Sequence, residues 1–82
     1  MVVYLEPVSG TARDSLERAK VEMERVIGFR GKVTDAKVEG NRIAVTVEIN
    51  PKWDLPAREK DSTLRKWILV KIRKAFEVQY IN

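Results

Sequence analysis

The chain contains no cysteine and no histidine. The first absence excludes a disulfide framework, thiol chemistry and any thiolate metal site. The second removes the usual zinc, iron and copper ligand, the commonest acid–base side chain and every Ser–His arrangement. No metal or other cofactor is therefore expected. No apolar run approaches membrane-spanning length, and the first residues lack the cationic-then-apolar plan of a secretory leader, so the expected location is intracellular and cytoplasmic. Amides are scarce as well: Gln79 is the sole glutamine, and asparagine occurs three times. With Lys, Arg and Glu abundant, that profile fits a heat-adapted protein or an engineered one.

What is there amounts to 82 residues, enough for one domain and no second. A chain of this size buries only about 60–65% of its unfolded surface, so its core is thin and local structure must be good. The net charge is +4. Residues 1–55 hold nine basic and nine acidic side chains, whereas residues 56–82 hold seven and three, so the whole excess sits in the last third.

Val2-Val3-Tyr4-Leu5 is a short apolar run with two β-branched residues and reads as a strand. Thr11 followed by Asp14 then has the spacing of a helix cap, and Ala12, Leu16, Ala19, Met23, Val26 and Ile27 form one apolar stripe at helical period. Arg13–Glu17, Asp14–Arg18, Arg18–Glu22 and Lys20–Glu24 are four-apart opposite charges on the remaining surface. Gly28 stands where the stripe ends, as a C-cap would, with Phe29 expected to be a lid on the core. Further on, Ile43, Val45, Val47 and Ile49 alternate with Ala44, Thr46, Glu48 and Asn50, and Gly40-Asn41 is a hairpin turn. That turn sets Glu39 against Arg42, Val38 against Ile43, Ala36 against Val45 and Thr34 against Val47, sorting both strands into one apolar face. A connection with two prolines leads to a second helix, expected over 62–76 with a start as early as Pro56. Residues 77–81 alternate and offer a last short strand. The order β-α-β-β-α-β implies a ferredoxin-like α+β sandwich, an antiparallel sheet with two helices on one face and the first and third strands central.

Parts of the chain resemble three known families. VIGFRG, residues 26–31, resembles the glycine-x-x-glycine loop with which KH domains clamp a nucleic-acid backbone. That family needs a second helix with apolar residues at 34 and 37, where this chain has Thr34 and Lys37, so an ordinary helix stop explains the glycine better. Gly10-Thr11-Ala12-Arg13 is loosely similar to the phosphate loop of acylphosphatases. It is one residue short, and Thr34 or Asp35 stands where that family has an asparagine. RNA-recognition domains share the topology and stack bases on aromatics of the central strands, where this sequence offers only Tyr4.

The second helix is the unusual segment. Its apolar residues cover roughly 200° at 100° per residue, about twice what one sheet requires. Leu64, Ile68, Ile72 and Ala75 serve the sheet; Trp67, Leu69, Val70 and Phe76 are surplus and mark an oligomer or partner interface, a homodimer in the first instance. The competing arrangement has Trp53, Leu55 and Pro56 folding back over Trp67 and Val70. From residue 62 to 76 there are also five cations and no acid. Arg65, Lys66, Arg73 and Lys74, with Lys71 nearer the apolar boundary, are the expected phosphate contacts, and Trp53 beside them a ring for stacking. The expectation is a non-enzymatic module that binds nucleic acid or another polyanion. The rival is a homo-oligomeric structural or protein-interaction module, natural or engineered, whose lysines keep it soluble.

Overall fold

Alternation decides the first strand. In the computed structural model, which describes residues 1–82, β1 (Val2–Pro7) buries Val3, Leu5 and Pro7 and turns Val2, Tyr4 and Glu6 to the other face. Such a period of two belongs to a sheet packed on one side. The helix α1 (Ala12–Ile27) starts at Thr11, whose Oγ1 accepts the Asp14 N–H at 3.2 Å. The expected stripe is buried, with Leu16 packed against it half-exposed. Gly28 ends the helix at φ 54° and ψ −134°, a backbone region that side chains enter only with strain.

The ion pairs differ from the four-apart pattern. Glu17 pairs with Lys20 and Glu22 with Arg25, each three residues along. Glu22 leaves Arg18 because its carboxylate also accepts the backbone N–H of Arg73 at 2.7 Å, and Arg18 donates instead to Ser15 Oγ.

A single 3-10 turn, Gly28–Arg30, leads into β2 (Gly31–Glu39), which pairs with β3 (Arg42–Ile49) around Gly40 at φ 65°. No second helix follows VIGFRG, so the KH resemblance ends there. The register holds from Glu39–Arg42 through Asp35–Thr46 and then shifts: Val33, not Thr34, partners Val47. The cause is a bulge at Thr34. Without the extra residue Val33 would face outward and a threonine would enter the core. Only glycine fits at position 31, where a Cβ would lie 2.5 Å from the carbonyl oxygen of Glu48.

The second helix, α2 (Ala57–Lys71), begins directly after Pro56 and ends before the expected residue 76. Ile72 is already extended, and residues 72–75 turn into β4 (Phe76–Ile81). Two long-range contacts hold the chain out of the helix: the Arg73 N–H goes to Glu22, and the Ala75 carbonyl accepts the Val8 N–H at 3.0 Å. The four strands pair antiparallel in the order β2-β3-β1-β4, and the core cluster joins Val3, Leu5, Ile43 and Val45 of the sheet to Met23 and Ile27 of α1 and Leu64 and Ile68 of α2. This is the ferredoxin-like sandwich. No helix is long and apolar enough to cross a membrane.

Candidate functional site

The shorter second helix redistributes the expected site residues. Arg65 is committed: it donates to Asp61 Oδ2 and to the Ile81 carbonyl, both at 2.7 Å, tying α2 to the end of β4. Lys66 is exposed on the outer side of α2, and Lys74 is exposed in the turn that follows it. Phe76 is the first residue of β4 and lies in the core at 6% exposure, so it leaves the interface set. Trp67 leaves it as well, because its Nε1–H donates to the Val26 carbonyl at 2.7 Å across the two helices. Leu69 and Val70 alone remain outward, 57% and 75% exposed. The proline-containing loop leaves Val70 uncovered, and its Trp53 packs instead against the core and at right angles to Phe29.

The two helices run antiparallel, and where α1 meets the C-terminal half of α2 their cations converge. Arg25 donates both its Nε and Nη2 to the Glu22 carboxylate, at 2.9 and 2.8 Å, and reaches the Lys71 carbonyl at 3.1 Å. These bonds from Arg25 hold the Glu22 carboxyl below the ordinary glutamate range, outweighing its burial, with the Arg73 N–H adding to them. The acid is therefore spent internally. Around it stand Lys71, Arg73 and Arg18, the last two lining a hollow of about 360 Å³ floored by Val21, Ala75 and Phe76. Glu17 lies on the same rim.

At the other end of this seam sits Arg30, delivered by the 3-10 turn. Its guanidinium lies 3.9 Å above the Trp67 ring and 4.6 Å from the Phe29 ring, with Trp53 at 6.0 Å. Lys71 Nζ is 5.0 Å from the same Trp67 ring. Rings cover the faces of Arg30, yet its side chain makes no hydrogen bond or ion pair within the chain, and no buried side-chain donor or acceptor lacks a partner. Its N–H edge is thus open to solvent. A guanidinium with its faces stacked and its edge free is prearranged for a planar or phosphate anion. Phe29 is not the lid on the core; it is 65% exposed and set edge-on to Trp53 with centroids 6.5 Å apart.

The open sheet face is a weaker candidate. Tyr4 does point outward there, stacked on Tyr80 at 4.4 Å with Arg42 4.7 Å above it. The rings satisfy one another, however, and Glu6, Glu39, Glu48 and Glu77 share their strand positions' face, which repels phosphate.

No family model, curated protein or solved structure matches the chain. Of the expected cations, Lys71 and Arg73 lie in the seam. Arg18, Arg25 and Arg30 join them from α1 and the 3-10 turn, outside the sequence window that drew attention to charge. The signal for them was faint: arginines spaced along the polar side of α1 look like ordinary solvated charges until the second helix is placed.

Proposed function

We propose that the chain binds polyanions, nucleic-acid backbones foremost, along the seam between α1 and α2, and that it works by binding rather than catalysis. The observation that carries this reading is Arg30, held against the Phe29 and Trp67 rings with no acid of its own chain to answer it. Lys71, Arg73 and Arg18 extend the positive line from it, and none of the three is in an ion pair. Lys66 adds charge on the outer side of α2, and Lys74 in the turn that follows it. The seam's buried acid, Glu22, is neutralised by Arg25, so phosphate meets cations with little local opposition.

Contacts of this kind release counterions, and four of them on a single strand give a log–log salt slope of about −3. Anisotropy titrations of labelled DNA and RNA over a salt series test this, with Lys71→Glu/Arg73→Glu as the control. Salt-dependent binding that collapses in the double variant is the expected result. No binding even at low salt would sink the proposal and leave the seam as a solvated surface.

A second reading is self-association into a homodimer. It rests on Leu69, which stands one turn beyond Arg65 and hence on the β4 side of α2, beside an edge strand with one unpaired side.

A further inference from the structure

The aromatic group at the head of the seam says more than charge alone. Phe29 is the most exposed aromatic residue, and it does no core work. It is nevertheless held still. The Asn50 side-chain Nδ2–H donates to its carbonyl at 2.9 Å, the Asn50 backbone N–H donates to the Arg30 carbonyl at 2.9 Å, and the Asn50 Oδ1 accepts the Lys52 N–H at 2.9 Å. Trp53 is positioned by the same residue, its N–H donating to the Asn50 carbonyl. One asparagine therefore fixes the 3-10 turn and the start of the long loop together. The Phe29 ring has Arg30 over it at 4.6 Å and the Trp53 ring at right angles to it, and at 65% exposure most of its surface is left to solvent.

Resting on the polyanion reading, we infer that this end of the seam is a stacking platform for an unpaired base, so that the partner is a single-stranded polynucleotide rather than a duplex. The base lies on the free face of Phe29, and the phosphate beside it meets the open N–H edge of Arg30 and the Lys71 ammonium. The strand then follows the seam toward Arg73 and Arg18. A duplex offers the same phosphates but keeps its base faces stacked internally, so it gains nothing from the ring. Because Asn50 already fixes the turn, little ordering cost falls on binding. Nothing in a ring and a guanidinium distinguishes the two sugars, so DNA and RNA strands are both accepted.

The test compares labelled single strands of oligo-dT and oligo-U, about twelve nucleotides long, with a duplex of equal length. Wild type, Phe29→Ala and Phe29→Trp are titrated at one low salt concentration. Phe29→Ala is expected to weaken both single strands about tenfold more than it weakens the duplex, which loses only the ring beside Arg30, and to keep the thermal midpoint of wild type. Phe29→Trp restores the single-strand affinity, which a merely structural role for position 29 would not require. If Phe29→Ala leaves single-strand binding unchanged, or weakens strand and duplex alike, the stacking platform is overturned while the polyanion reading stands. If wild type binds neither form, both are overturned together.

Discussion

Glu22 shows how much one side chain can settle. Its carboxylate takes two donors from Arg25 and the backbone N–H of Arg73, so it joins a turn of α1 to the exit of α2. Its folded pKa is lowered, chiefly by those bonds from Arg25. A depressed carboxylate contributes stability that is fully present above its unfolded value, about 4.3, and is lost as pH falls through the lower folded value. Glu22→Gln should therefore cost about 1–2 kcal/mol at neutral pH, discounted for the half-exposed Arg25. The gap from wild type should narrow below about pH 4.3. Urea unfolding at several pH values measures it, and a gap independent of pH would mean that the charge of Glu22 is not what holds the turn. The sequence marked this residue only as a surface partner for Arg18. It sits on the polar side of the predicted stripe, and the partner that explains it is 51 residues away.

The elements were legible to the extent that their signals are local. The caps at Thr11 and Gly28, the stripe of α1 and the Gly40 turn all follow from neighbours a few residues apart, and all stand where the sequence put them. The bulge at Thr34 was not legible, because alternation alone carries Thr34, not Val33, to the core face. The end of α2 was missed for a related reason: Ile72 to Ala75 contain no glycine or proline, and the helix stops through contacts with α1 and the end of β1. That misplacement set Phe76 on a helix surface when it belongs to the core. What remains of the surplus apolar face is Leu69, on the β4 side of α2, and Val70. If the chain dimerises there, Leu69→Glu should return it to monomers in sedimentation equilibrium, with the polyanion seam unaffected. A wild-type chain that sediments as a monomer at high concentration removes the homodimer.

At the scale of the whole molecule, the charge excess of the last third is half of a candidate interface whose other half comes from α1 and the turn after it. A candidate site made by two helices packing together cannot be read from either alone, since Arg30 and Trp67 meet only once the sandwich has formed. The same fold closes on itself elsewhere. Val2 and Asn82 exchange both of their backbone hydrogen bonds, at 3.1 and 2.8 Å, which sets the first and last strands side by side at their ends. The thread is thus almost a loop, and the point at which it opens is arbitrary with respect to packing. A circular permutant joined from residue 82 to residue 1 by a short glycine linker, and cut between Gly40 and Asn41, keeps every strand pairing and loses one exposed turn. Its circular dichroism should match that of the parent, and so should its affinity for single strands, because no residue of the seam lies at the cut or the join.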